Sequence, residues 1–174
     1  MTVRPFVRSD AVEVARFASS LPEHDLLFLN RDIQNARVVG AWLDAVDRGE
    51  IESLIALAGD RAVATTAIVR DMLGWSAHVA EIRMLVAPEW RGKGLGRALL
   101  EATVGLASES GAEKLVARMT PDQAGAITLF EEAGFRGEAM LRDHVRDRAG
   151  QLHDLAILSL GLARAAGRSE AYGG

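Results

Sequence analysis

The chain has 174 residues, of which 49% are hydrophobic and 25% charged, and it contains no cysteine. This length predicts a single domain over residues 1–174, and the missing cysteines exclude disulfide and thiol chemistry. The formal net charge of −4 argues against sequence-independent nucleic-acid binding and favours a cationic small molecule or peptide as ligand. No apolar run is long enough for a membrane span. The start of the sequence shows no secretory signal, so we expect a cytoplasmic protein.

The first half of the sequence predicts four strands and two helices. Alternating and β-branched residues indicate the strands, which are predicted at residues 3–7, 51–58, 62–69 and 76–86. Apolar residues at helical spacing follow two helix caps, which are Ser9 or Asp10 for the first helix and Asp32 for the second. The two middle strands are close enough in sequence to predict a β-hairpin.

The fourth strand is followed by a glycine-rich segment, Arg91-Gly92-Lys93-Gly94-Leu95-Gly96-Arg97-Ala98, and then by a predicted helix over residues 99–108. Glycines lack the Cβ atoms that keep a ligand off the backbone, and a helix start offers unpaired amide hydrogens to an anion. The segment therefore predicts a phosphate site, with a glycine-rich turn bearing solvated cations as the alternative. It is not a nucleotide P-loop, because Gly94 follows Lys93 where Ser or Thr is required, and its spacing does not fit a dinucleotide fingerprint.

The second half of the sequence predicts one strand, one helix and a final hairpin. These elements are predicted at residues 114–119, 121–134, 135–146 and 152–160. A helix between the fourth and fifth strands makes those two strands parallel. Residues 161–174 bury little apolar surface, so we expect them to form a flexible tail.

Two motifs together resemble those of one superfamily. Arg91, Gly94 and Gly96 form the pattern Arg-x-x-Gly-x-Gly, which is similar to the pyrophosphate-binding motif of the GNAT acyltransferases. The segment from Gln123 to Phe135 resembles their second signature, Asn-x-x-Ala-Ile-x-Leu-Tyr-x-x-x-Gly-Phe. Both motifs stand in the order found in that superfamily.

The resemblance implies an α/β (α+β) fold of the GNAT type, with a mixed central sheet of about six to seven strands, a splayed parallel pair and about four flanking helices. It implies direct transfer of an acetyl group from acetyl-CoA to a primary amine, without a metal. Contacts to acetyl-CoA would come from Met84, Leu85, Val86, Arg91, Gly92, Lys93, Gly94, Leu95, Gly96, Arg97, Gln123 and Phe130.

The resemblance also suggests which groups take part in the chemistry. Glu81, on the strand beside the thioester, is the first candidate for the base that deprotonates the amine, and His78 and His144 are alternatives. A backbone amide of Leu85 or Val86 would contact the oxyanion that forms during acyl transfer.

Several alternatives stay open for these residues. Glu81 can instead be an ordinary strand carboxylate paired with Arg70, Arg83 or solvent. His24 lies in the predicted acceptor loop and can touch substrate. Phe130 stands where many members of the superfamily have a tyrosine that acts as an acid, so no general acid is carried over to it.

The acceptor is less well defined than the donor. It can be a small amine, which an acidic cleft would favour, or a protein amine, which an open groove would favour. A homodimer is a further option. The alternative function is a non-catalytic acyl-CoA sensor or interaction module, for which Phe130 and the uncertain base are the reasons.

Overall fold

The computed structural model describes residues 1–162. Within them, seven strands form one mixed sheet, and four α-helices pack on its two faces. The strands are β1 (Thr2–Pro5), β2 (Ile51–Ala58), β3 (Arg61–Val69), β4 (Val79–Val86), β5 (Lys114–Met119), β6 (Arg136–Arg146) and β7 (Leu152–Gly161). The helices are α1 (Ala11–Ser20), α2 (Ala36–Asp47), α3 (Leu95–Glu109) and α4 (Ala124–Glu132).

The sheet has the strand order β1-β2-β3-β4-β5-β7-β6, and β4 and β5 are its parallel neighbours. Their pairing covers three residue pairs and ends at Glu81 opposite Val116. Beyond that point β4 stays paired with β3 as far as Val86, and β5 stays paired with β7 as far as Met119. We call the opening between residues 82–86 and 117–119 the split. The predicted mixed sheet with a splayed parallel pair is confirmed.

Side chains of β4 alternate between two cores, because successive residues of a strand point to opposite faces. Ala80 and Ile82 pack in the core beneath α3 and α4. Leu85 packs on the other face, in the core beneath α1 and α2. By the same alternation, Glu81 and Arg83 share the face of Leu85, so polar side chains of β4 lie on the side of the sheet that α2 covers.

The start of α3 and the cap of α2 differ from those that the sequence predicts. α3 begins at Leu95, four residues before the predicted start at residue 99, because Gly94 adopts a left-handed conformation and forms the N-cap. α2 is capped by the side chain of Asn35, so the prediction of Asp32 as its cap is wrong. Asp32 instead pairs with Arg148, which lies in the turn between β6 and β7.

The remaining boundaries lie close to those predicted. β4 begins at Val79, and α4 begins at Ala124, each three residues after its predicted start at residues 76 and 121. β7 ends at Gly161, and the backbone N–H of Leu162 donates to the carbonyl of Glu113. The rest of the predicted tail, residues 163–174, lies outside the described residues. None of the helices in residues 1–162 has the length and apolar character needed to cross a membrane.

Asp10 connects β1 to the start of α1. Its buried carboxylate accepts hydrogen bonds from the Arg4 guanidinium at 2.6 and 2.8 Å and from the backbone N–H of Val7 at 2.9 Å. Asp10 stands at the N-cap position of α1, but its side chain makes no capping bond to that helix. The hydrogen bonds from Arg4 hold the pKa of Asp10 below its usual value.

We expect Asp10 to make folding sensitive to acid. A carboxyl group with a lowered pKa stabilises the fold at pH values above its unfolded pKa of about 3.9, and the contribution is lost as the pH falls through the folded value. Asp10→Asn should lower the free energy of unfolding at pH 7 by about 1–2 kcal/mol and weaken its fall on acidification. Urea unfolding between pH 7 and pH 3 measures both effects. Asp60→Asn, in an exposed turn, is the control, and an unchanged acid response in Asp10→Asn would contradict the prediction.

Candidate active site

The split opens toward the starts of two helices. β4 leads into α3 through the turn Pro88–Trp90 and the glycine-rich segment, and β5 leads into α4 through residues 120–123. Gln123 is the N-cap residue of α4. The two sequence motifs therefore meet at the same edge of the sheet, on opposite sides of the split.

The glycine-rich segment has an open backbone. Gly92 and Gly94 have φ angles of +68° and +84°, a region that favours glycine. A Cβ atom on either would meet no other atom within 4 Å. Gly96 has a different role in the first turn of α3, because a Cβ there would lie 3.1 Å from the side chain of Leu129 in α4. Two glycines thus shape an accessible loop, and the third lets α3 approach α4.

The three cations of this segment have different surroundings. Arg91 pairs with Asp25 at 2.6 Å, and its Nε donates to the carbonyl of Val86 at 3.0 Å. The Nζ of Lys93 lies 5.5 Å from the ring centre of Trp90. Arg97 pairs with Glu132 near the end of α4. Of the three, Arg91 is the cation that contacts the edge of the split.

Asp25 links the two motifs across the split. It lies in the short 3-10 turn Glu23–Leu26 between α1 and α2. Its carboxylate, with a side chain only 15% exposed, accepts hydrogen bonds from Arg91 and, at 3.4 Å, from Nε2 of Gln123. We call this arrangement the Asp25 bridge. Sequence reasoning missed it, because its partners lie 66 and 98 residues away and no local pattern marks the turn.

Glu81 lies where the pairing of β4 and β5 ends. Its carboxylate accepts hydrogen bonds from Nε and Nη2 of Arg83 at 3.0 and 3.4 Å, and Nε of Arg118 in β5 lies 3.9 Å away. Nη1 of Arg118 donates to Asn30 at 3.3 Å. We call Glu81, Arg83 and Arg118 the apex cluster. The expected alternative of a pair with Arg83 is present, whereas Arg70 donates to backbone carbonyls instead.

Two histidines lie together near the end of β5. The imidazole rings of His24 and His153 are 5.3 Å apart between centres. Nε2 of His24 lies 2.8 Å from Asp122 and 3.3 Å from Oγ1 of Thr120, and Nε2 of His153 lies 2.8 Å from Asp147. The hydrogen bond from His24 holds the pKa of Asp122 below its usual value, and that from His153 does the same for Asp147. Each imidazole is therefore oriented by a carboxylate.

The two histidines predicted as alternative bases lie elsewhere. His78 is exposed just before β4, at the end of the strand far from the split, and its carbonyl accepts the backbone N–H groups of Glu113 and Lys114. His144 is exposed in the outermost strand, β6, where the register with β7 shifts between Leu141 and Val145. The fold does not bring either of them together with Glu81.

A cavity of about 430 Å³ lies between α2 and the sheet. Arg83 and Leu85 of β4 contribute to its lining, Trp42 does so from α2, and Asn30 and Arg31 do so from the loop before that helix. We call it the α2 cavity. It lies on the face of the sheet that carries the apex cluster, and it reaches Leu85, one of the two residues whose backbone is predicted to contact the oxyanion. No role was predicted for Trp42, which lines it.

Phe130 is a core residue. Its side chain is only 5% exposed, and its ring meets that of Phe135 edge-on at 5.0 Å. Both rings belong to the core beneath α3 and α4, on the face of the sheet opposite the α2 cavity. Packing against Phe135 accounts for an apolar side chain at this position.

Comparisons with known proteins agree with this architecture. The model of the acetyltransferase (GNAT) family matches residues 17–135. A search of curated proteins found no match. Among solved structures, the fold is similar to the ribosomal-protein-alanine N-acetyltransferase of Brucella melitensis, with a TM-score of 0.81 and 22% identity over 93% of this chain and 100% of that chain.

Two further similar structures were solved with ligands. Phosphinothricin acetyltransferase from Sinorhizobium meliloti, in complex with AcCoA, has a TM-score of 0.76 and 18% identity over 92% of this chain and 88% of its own. Spermidine N-acetyltransferase from Vibrio cholerae, in complex with CoA and spermine, has a TM-score of 0.76 and 15% identity over 93% of this chain and 95% of its own. At these identities the likeness shows the fold.

The glycine-rich loop can be tested through stability alone. Gly94→Ala should lower the free energy of unfolding by about 1–2 kcal/mol, because alanine is strained at positive φ. Gly105→Ala is the matched control, since Gly105 lies exposed within α3 with no atom near its Cβ position. It should raise stability by about 0.5–1 kcal/mol. Urea unfolding of both variants distinguishes these effects, and stabilisation by both alanines would contradict the left-handed conformation at Gly94.

Proposed function

The chain belongs to the acetyltransferase (GNAT) family, and we propose that it transfers an acetyl group from acetyl-CoA to a primary amine. The observation that carries the proposal is the split, which has an open glycine loop and Arg91 on one side and Gln123 on the other. In the reaction the acceptor nitrogen bonds to the acetyl carbon, and the carbon–sulfur bond breaks. The nitrogen loses a proton, and the departing sulfur gains one.

We propose that the residues at the split hold acetyl-CoA, which supplies an activated thioester when it is bound. The backbone of residues 84–86 has no strand partner on the β5 side, so it is suited to pair with the amide groups of the pantetheine arm as an added strand would. Amides of residues 92–96 and the Arg91 side chain suit the pyrophosphate. Gln123, at the N-cap of α4, would contact the arm, whereas Arg97 would first have to leave Glu132.

Glu81 is our proposed base on the acceptor side. It stands at the closed end of the split, on the face of the α2 cavity. A lysine-like amine with a pKa near 10.4 needs about 4.6 kcal/mol to become neutral at pH 7, so a base and nearby positive charge both assist the attack. Arg83 and Arg118 supply that charge, since like charges lower the pKa of an amine. The cytoplasmic location and the homodimer stay predictions.

The reaction is tested first through Glu81. Glu81→Gln should lower kcat/KM about 10²-fold or more if its carboxylate takes the proton, and it should remove the rise of the rate with pH. Binding of CoA, measured by calorimetry, should persist, because the donor contacts lie further along β4. Full turnover in Glu81→Gln would exclude this residue as the base. Failure of the wild-type protein to bind acetyl-CoA would end the proposal as a whole.

The Asp25 bridge gives a second test, on the donor alone. The Asp25 carboxylate holds Arg91, so the pyrophosphate must compete with it for the same guanidinium. Asp25→Asn removes the negative charge and should lower the Kd for CoA about 3-fold to 10-fold, whereas Arg91→Gln should raise it about 10-fold. Calorimetry at one fixed salt concentration measures both, with Asp60→Asn as the control. Weaker binding in Asp25→Asn would mean that Asp25 positions Arg91 rather than competing for it.

A further inference from the structure

The α2 cavity has the dimensions of a site for a small molecule. Its volume of about 430 Å³ lies within the range of about 300–1,000 Å³ that is usual for ligand sites. α2 covers it from above, through apolar side chains that include Val38 and Trp42. A single amino acid fits within this volume.

The charged residues that line this cavity are mostly cationic. They are Arg31, Arg48, Glu50 and Arg83. Glu50 accepts two hydrogen bonds from Arg48, at 2.7 and 2.9 Å, so these two side chains neutralise each other. Arg83 pairs with Glu81 of the apex cluster, so Arg31 is the lining cation without an ion pair in the described part of the chain. This local charge is opposite in sign to the net charge of the chain, from which a cationic ligand was expected.

The apex cluster adds a second excess of positive charge. Glu81 is approached by both Arg83 and Arg118, so two guanidinium groups share one carboxylate. The Nε of Arg118 is buried and lacks a hydrogen-bond partner in the described part of the chain. Its distance of 3.9 Å from Glu81 is too long for a hydrogen bond. Buried donors without partners are rare and costly, so this group points to a missing acceptor atom.

From these observations we propose that the amine acceptor also carries a carboxylate, as a free amino acid does. This inference rests on the proposed function. Arg83, which lines the α2 cavity, and Arg118, its neighbour in the apex cluster, bind that carboxylate where the cavity meets the split, and Arg31 of the cavity lining attracts it. Guanidinium groups recognise carboxylates through paired hydrogen bonds, which would satisfy the free Nε of Arg118. The acceptor is therefore zwitterionic rather than purely cationic.

The geometry of an amino acid suits the positions of these groups. Its nitrogen and its carboxylate carbon are both bonded to the same carbon atom, so a carboxylate held by Arg118 and Arg83 keeps the amine close to Glu81. Glu81 precedes Arg83 by two residues on the same face of β4. A polyamine would bring only positive charge to these arginines, which repel it.

Matched pairs of amines test the proposal. Each pair consists of an amino acid and the amine that remains when its carboxylate is removed, such as L-lysine with 1,5-diaminopentane, L-leucine with 3-methylbutylamine and L-phenylalanine with 2-phenylethylamine. An alanine-terminated peptide and spermidine complete the panel. Release of CoA can be followed with a thiol reagent, because the chain has no cysteine to react with it. We expect kcat/KM for at least one amino acid to exceed that of its decarboxylated partner about 10-fold or more.

Arginine variants identify the groups that bind the carboxylate. Arg118→Gln should lower kcat/KM for the preferred amino acid about 10-fold more than it lowers kcat/KM for the decarboxylated partner, because only the amino acid loses a carboxylate contact. Arg31→Gln should lower kcat/KM for the amino acid by a smaller factor. Because Arg31 is exposed, this variant still tests the proposal if Arg118→Gln does not fold. Arg37→Gln, exposed in the first turn of α2 and outside the cavity lining, is the control. Calorimetric binding of the amino acid in the presence of CoA should weaken in parallel, which gives a readout independent of turnover.

The outcomes separate this proposal from the one on which it depends. Equal or higher turnover of the decarboxylated amines, the peptide or spermidine would overturn the acceptor class and support acetyl transfer. Binding of acetyl-CoA without turnover of any amino acid would also overturn it. Failure to bind acetyl-CoA would overturn the proposed function itself. An equal loss of turnover for both members of a pair in Arg118→Gln would exclude this arginine as the carboxylate site.

Discussion

The early end of the β4–β5 ladder is the constraint on which the site depends. The two strands pair for three residues and then remain bound only to their outer neighbours, β3 and β7. Backbone groups that face the split need other partners, because unpaired polar groups in a protein interior are costly. Arg91 satisfies one of them by donating to the carbonyl of Val86. A ligand that carries its own amide groups can complete the others, which is why a sheet interrupted in this way suits an extended arm such as pantetheine.

The segment from Asp25 to Asn30 contacts both sides of the split. Asp25 contacts Arg91 and Gln123 on the proposed donor side, and Asn30, five residues later, contacts Arg118 on the acceptor side. The same segment closes one end of the α2 cavity. The proposed donor and acceptor sites are therefore joined by a short piece of irregular chain. Leu26 and Phe28 anchor it in the hydrophobic core, while Asp25 and Asn30 make polar contacts to the two sides of the split. These polar contacts are weaker than the buried apolar packing, and they can rearrange when a charged ligand competes for the same groups.

Local patterns predicted most of the fold, and contacts between distant residues account for what they missed. The two hairpins, the parallel pair and the glycine loop follow from alternation, turn residues and the strand-helix-strand order. The start of α3 was misplaced because glycine is a poor helix former, yet Gly96 belongs to the helix and its lack of a side chain lets α4 come close. Asp32 and Asn35 are both acceptable caps, and only the path of the chain selects Asn35. The environment of Glu81 depends on Arg118 from another strand, which no spacing in the sequence indicates.

The apex cluster also bears on the absence of a tyrosine at Phe130. A thiol with a pKa near 8.5 leaves far more readily than an amine with a pKa near 10.4 loses its proton at pH 7, so the barrier lies on the acceptor side. Phe130 belongs to the opposite core, where a hydroxyl would have to be accommodated beside Phe135. In the proposed reaction, the two guanidinium groups next to Glu81 would assist the harder of the two proton transfers, since positive charge favours the neutral, nucleophilic amine. A carboxylate on the proposed acceptor would bind these guanidinium groups and leave Glu81 less tightly held, so that its carboxylate would be available for the proposed role as base when that substrate is in place.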